Sequence, residues 1–204
     1  MMSKEHSPKE KAIYKAVLEL FEEGADLNSL TVSEITKRAG IGKGTAYEYF
    51  SDKEEMIATA LLYHIAIYCE WIYQGIVKEK NLHDRVEYLL KQMEEQLSRT
   101  NCLIRLVHLM SDHSPLGKKI AKLKDQRGAD EMLPMDMLKQ FIRNEFEGKK
   151  ECSEEVTEYL VMSMFSKIIC YGMLLNEGKY EEAGVRQKMR ELTCSGICRE
   201  IEEA

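Results

Sequence analysis

The chain has 204 residues, 44 % of them hydrophobic and 31 % charged, with a formal net charge of −6. That is a soluble globular composition, enough for one large domain or for a small domain joined to a medium one. With three prolines, no alternating β-branched runs and no apolar run near the roughly 20 residues that cross a bilayer, it excludes β and membrane-spanning classes and predicts an all-α fold. The short polar N-terminus has no signal-peptide core, so the expected location is the cytoplasm.

Ser7-Pro8-Lys9-Glu10 opens the first helix with a hydroxyl cap, a proline at the first helical position and a glutamate completing a capping box. Ile13, Ala16, Val17, Leu20 and Phe21 follow at helical spacing, and Gly24 ends the helix. The next stretch, Thr31 to Lys53, reads TVSEITKRAGIGKGTAYEYFSDK. Thr31 is an N-cap with Glu34 completing its box, Ile35 and Ala39 share a face, and Gly40 ends the helix in the left-handed conformation. Ile41 plugs the crossing. Gly42-Lys43-Gly44-Thr45 opens a short second helix carrying Tyr47, Tyr49 and Phe50, and Ser51 with Glu54 predicts one more capping box. Two short helices around a glycine turn make a helix-turn-helix, whose second helix enters the major groove of DNA.

In that reading Lys43 meets a phosphate or a guanine edge, Gly44 lets the backbone approach, and Thr45 offers a hydroxyl or a methyl. Tyr47 and Tyr49 donate to phosphate oxygens, while Phe50 belongs to the core. The electrostatic footprint is slight: residues 1–53 hold eight Lys/Arg against nine Asp/Glu. Local clusters must therefore attract the phosphates, Lys4, Lys9, Lys11 and Lys15 first, then Lys37, Arg38, Lys43 and Lys53. The competing reading is a helical hairpin that never touches DNA. A nucleotide loop is excluded, because Lys37 stands where a phosphate loop needs glycine and no strand precedes the glycines.

A long fourth helix follows Ser51, with Met56, Ile57, Ala60, Leu61, His64, Ile65, Tyr68, Cys69 and Ile72 in register to about Val77. Helices are expected near 83–99 and 102–111, and Ser114-Pro115 restarts the chain. The stretch 116–147 is helical in pattern but interrupted at Gly128 and Pro134. Ser153 caps a further helix with Glu154 and Glu155 at its positive end, and the last helix runs from about Glu181 to Ile201. The expected division is a DNA-binding domain over 1–53 and a helical ligand-binding and dimerisation domain over 54–204.

No nucleophile–base pair, metal spacing or cofactor loop is apparent, so no enzyme activity, catalytic residue, metal or cofactor is expected. Cys194 and Cys198 share a helical face, but two ligands fall short of a zinc site. All six cysteines are expected as free thiols. Tyr63, Tyr68, Trp71, Tyr73, Tyr88, Met93, His108, Met110 and Met137 either line an apolar cavity or fill a plain core. The last two helices carry apolar stripes, with Tyr159, Met164, Ile168, Tyr171 and Gly172 on one, and Val185, Met189, Leu192, Gly196 and Ile197 on the other. Those stripes pair across a twofold axis as a four-helix bundle, or are satisfied within one chain.

The segment from Thr31 to Lys53 resembles the DNA-binding signature of the TetR family of bacterial transcription regulators. The residues that carry the likeness are Thr31, Ile35, Ala39, Gly40, Ile41, Gly44, Thr45, Tyr47, Tyr49, Phe50 and Lys53. Gly42 departs from it, standing where the family often has serine or threonine. The resemblance implies phosphate contacts from Thr31 and Lys53, a homodimer on a double-stranded DNA operator, and a mostly apolar small-molecule effector in the C-terminal bundle. The function so implied is a ligand-responsive repressor. The rivals are a TetR-like protein controlled by a protein partner, a helical-bundle enzyme, and a helical interaction protein without DNA binding.

Overall fold

In the computed structural model the residues described are 6–100, 109, 114–126, 131–148, 152–176 and 182–204, and every regular element among them is helical. Backbone contacts divide the chain into two compact units, Met1–Ile67 with Arg105–Met132, and Tyr68–Ile104 with Leu133–Ala204.

The first unit is built on α1 (Pro8–Glu22), α2 (Val32–Ala39), α3 (Lys43–Tyr47), the first half of α4 (Lys53–Ile76) and α6 (Pro115–Gln126). The capping box at Ser7 forms: its hydroxyl accepts from the Glu10 amide and the Glu10 carboxylate accepts from the Ser7 amide at 2.8 Å. Ile13, Tyr14, Ala16, Val17 and Phe21 of α1 pack with Leu27, Leu30, Ile35, Ala46 and Phe50 as one small core. The Tyr14 ring meets Phe50 at 6.1 Å and Tyr63 at 4.8 Å between centroids. His64 Nε2 lies 3.0 Å from the Tyr14 carbonyl oxygen, so α1 and α4 are joined by both ring contacts and a polar contact.

At the start of α4 the cap is shifted by one residue from the expected Ser51–Glu54 box. Asp52 Oδ1 accepts from the Glu55 amide at 2.6 Å, and the Glu55 carboxylate takes the Ser51 amide at 2.8 Å. A carboxylate is the stronger acceptor for helix-terminal amides, so the aspartate beside the serine takes the cap.

The second unit holds the rest of α4, α5 (Leu82–Thr100), α7 (Pro134–Phe146), α8 (Glu154–Asn176) and α9 (Ala183–Glu203). Helices α5, α8 and α9 pack on one another, and α7 packs on α8. Arg190 of α9 forks between two α5 carboxylates, Glu94 at 2.8 Å and Glu87 at 2.9 Å, and Glu94 also accepts from the Tyr171 hydroxyl of α8. Gly75 of α4 is a slot for Tyr88 of α5: a Cβ there would lie inside the phenol. Pro134, expected to interrupt a helix, opens α7 at its first position. The helix expected over 102–111 and the break at Gly128 lie outside the described residues, Leu109 excepted.

One expectation is corrected. Lys53–Ile76 and Glu154–Leu175 are each long and apolar enough to cross a membrane by length and composition. In α4 the apolar length is explained by burial of Met56, Ile57, Ala58, Ala60, Leu61 and Leu62 in the first unit's core and of Cys69, Ile72 and Ile76 in the second's.

Candidate nucleic-acid interface

The residues from Thr31 to Lys53 fold as two helices about a glycine turn. The Thr31 hydroxyl accepts from the Glu34 amide at 3.3 Å, and Glu34 Oε2 takes the Thr31 amide at 2.8 Å and its hydroxyl proton at 2.7 Å. These bonds to the charged form hold the Glu34 carboxyl below the usual carboxylate range. Gly40 has φ 70°, and the following Ile41 amide closes back to the Thr36 carbonyl at 3.1 Å, which ends α2. Gly42 then caps α3 with extended backbone and no side-chain bond, so the hydroxyl missing there leaves the first turn of α3 open to solvent.

Packing fixes which side of α3 faces outward. Ala46 is fully buried and Phe50 nearly so, while Lys43 and Gly44 are exposed and Tyr47 is 53 % exposed. Thr45 and Tyr49 sit at the edge, half-buried. The helix thus presents a lysine, a bare backbone and a phenol together, groups whose donors suit phosphates and base edges.

Three other cations of the module, Arg38, Lys53 and Lys15, have partners within the fold. Arg38 makes a two-pronged pair with Glu23, both bonds 2.7 Å, and its guanidinium holds the Glu23 carboxyl below its ordinary range. This clamps α2 to the end of α1. Lys53 Nζ donates to the Asn28 carbonyl at 2.7 Å and lies 3.6 Å from Glu54. Lys15 lies 3.7 Å from Glu19. Lys37 and Lys43 remain exposed.

The residues expected to line a ligand cavity fall in both units, each with its own partners. Tyr63 packs on Tyr14 and His6 in the first unit. In the second, Tyr68 donates to the Gln92 carbonyl at 3.2 Å with its ring stacked on Trp71, which is 52 % exposed. Tyr73 accepts from Asn144 at 2.7 Å, Tyr88 fills the Gly75 slot, and Met93 and Met137 are core. His108 and Met110 lie outside the described residues. A cleft of about 390 Å³ in this unit is lined by polar residues of α7 and the start of α8 that include Gln140, Arg143, Thr157 and Asn144, the partner of Tyr73.

Of the expected interface residues, Met164, Ile168, Tyr171, Gly172 and Ile197 are buried within the single chain. Val185, Met189 and Gly196 are half-buried, and Tyr159 and Leu192 are 66 % and 62 % exposed. The outer face of α8 shows Tyr159 together with Val156, Met162 and Met173. Cys194 and Cys198 are buried free thiols, the former donating to the His83 carbonyl. Among the described residues no group of three or more His, Cys, Asp or Glu side chains could hold a metal ion.

Residues 13–60 match the sequence profile of bacterial regulatory proteins of the tetR family. No curated protein is significantly similar in sequence. Among solved structures, the transcriptional regulator FadR from Bacillus subtilis, in complex with stearoyl-CoA, is 20 % identical with a TM-score of 0.65, covering 91 % of this chain and 98 % of that one. FadR from Bacillus halodurans is 19 % identical with a TM-score of 0.66 over 95 % and 98 %. The reduced form of NemR from E. coli is 18 % identical with a TM-score of 0.68 over 94 % and 95 %. At these identities the likeness is one of fold.

Proposed function

We propose, because residues 13–60 match the profile of bacterial regulatory proteins of the tetR family, that this chain is a homodimeric, ligand-responsive DNA-binding transcriptional repressor of the cytoplasm. Residues 1–53 read DNA, and residues 54–204 dimerise and bind the effector; no catalytic step is assigned to either. The observation that carries the reading is α3 itself, with Ala46 and Phe50 turned inward and Lys43, Gly44 and Tyr47 turned outward. Thr31, Thr45, Tyr49 and Lys53 flank that surface and supply phosphate contacts. Lys53 does so by releasing the Asn28 carbonyl.

Two such helices in one dimer occupy successive major grooves on one face of the duplex, about 34–36 Å apart. The effector acts through its differential affinity for the DNA-competent and DNA-incompetent states. Tilting of α4, which runs from the reading module into the rest of the chain, is the motion that spoils the spacing. A mostly apolar effector finds partial support in the stearoyl-CoA held by the Bacillus subtilis relative, a ligand whose acyl chain is apolar while its coenzyme A half is polyanionic.

The test uses a duplex selected by the wild-type protein from a random pool. A Lys43→Ala, Tyr47→Ala double variant should bind it at least about tenfold more weakly at physiological salt, the loss of one to two good contacts. Equal affinity would place the reading helix elsewhere. Adding stearoyl-CoA or a shorter acyl-CoA to the wild-type complex should release the duplex if the effector is of that class. Retention of DNA with every acyl-CoA tried would exclude it.

A further inference from the structure

One helix of the first unit is not used by the reading above. α6 turns Leu116, Gly117 and Ile120 inward and leaves Lys118, Lys122 and Lys124 exposed. Its Lys119 donates to Asp52 Oδ2 at 2.7 Å. Asp52 caps α4 immediately before Lys53, so α6 is fastened to the point where the reading segment ends. Burial opposes the charge of Asp52, but bonds from Lys119, the Glu55 amide and Ser51 hold its carboxyl below the usual range.

Lys118 and Lys122 are one turn apart, and Lys119 adjoins Lys118, so the three form a stripe over about a third of the helix circumference. Lys119 is neutralised by Asp52. Lys118 and Lys122 are paired with no described residue, and Asp125 is the one carboxylate of the helix. The module they adjoin needs such charge. Its own Lys/Arg are outnumbered by Asp/Glu, and of its eight, Lys15 and Arg38 are engaged by Glu19 and by Glu23, leaving Lys9, Lys11, Lys37 and Lys43 exposed.

We propose that Lys118 and Lys122 of α6 contact the phosphate backbone of duplex DNA beside the segment read by α3, extending the footprint beyond the helix-turn-helix. The inference rests on the DNA-binding reading. It adds that a helix outside the family's matched segment, residues 13–60, supplies part of the sequence-independent affinity. Such contacts release counterions, about 0.9 per phosphate, and carry no base information.

The experiment measures affinity against salt for the full chain on two fluorescein-labelled 30-base-pair duplexes, one of random sequence and one selected by the wild type. The variants are K118A/K122A and, as a control with the same loss of charge, K78A/K80A, whose lysines are exposed in the second unit. K118A/K122A should flatten the log–log salt slope by about 1.8 on both duplexes, two contacts at 0.9 each, with the ratio of selected to random affinity unchanged. K78A/K80A should keep the wild-type slope. A wild-type slope in K118A/K122A, or equal flattening in K78A/K80A, overturns the proposal while leaving α3 as the reader. Wild-type protein that binds neither duplex at any salt overturns both. Equal thermal unfolding of all three proteins verifies that the exposed substitutions leave the fold intact.

Discussion

The hydroxyl of Thr31 accepts from the Glu34 amide and gives its own proton to the Glu34 carboxylate, so one side chain closes the first turn of α2. Thr31→Ala should cost about 1 kcal/mol, the usual loss of a helix N-cap, while Thr31→Ser keeps both bonds and the stability; urea denaturation of the two variants decides. His64 makes a different test. Burial pushes its imidazole below the ordinary value of 6.5, outweighing the Tyr14 carbonyl and Glu22, which favour the charged ring. The unfolded chain therefore takes up the proton more readily, so this contribution to stability is full above about pH 6.5 and is lost as pH falls through the lower folded-state value. His64→Gln, which can still donate to the Tyr14 carbonyl, should lose less stability than wild type between pH 7.5 and 5.5 in denaturant melts. Equal loss would show that the ring is not held neutral. At this scale the Thr31–Glu34 box was legible because both partners lie within one turn. The α4 cap was misread by one position, because Ser51 and Asp52 stand side by side and only the folded backbone chooses between them.

Helix by helix, periodicity located each described element to within a few residues, because an amphipathic face repeats at 3.6 wherever a core must be covered. Which face looks inward was less legible. α8 is apolar nearly all round: Leu160, Val161, Met164, Ile168 and Tyr171 are buried, yet Val156, Tyr159, Met162 and Met173 lie outside. Such a sequence has no polar side to mark the solvent, so the stripe chosen for a dimer contact fell mostly on the inner face. Whether the aromatic residues named for a cavity line one was not legible for a related reason, since tyrosine and methionine fill cores as readily as they line pockets. Close approach is the other quantity that spacing conceals. Nothing in the sequence pairs Gly75 with Tyr88, but the fold seats the phenol where a methyl group would be. Gly75→Ala should destabilise by about 1–3 kcal/mol, as overpacking does, and a smaller residue at 88 should recover much of it. Additive losses in the double variant, read from chemical denaturation, would deny the contact.

For the molecule as a whole, the outer face of α8 is where the proposed twofold pairing is best tested, because it joins Tyr159, one of the residues first named, to Met162. Tyr159 and Met162, one turn apart and more than half exposed, form an apolar surface of the kind that oligomers cover. Replacing both by glutamate should shift the dimer toward monomer in sedimentation equilibrium without lowering the melting temperature of the monomer. An unchanged association constant would move the contact to another surface. The Arg190 arrangement has a consequence of another kind. One guanidinium serves Glu87 and Glu94 together, and Glu94 is also held by Tyr171, so three helices share a fork that a lysine's single ammonium group cannot reproduce. Homologous chains are then expected to inherit these four positions as a set, so that drift at any one is matched by change at the others.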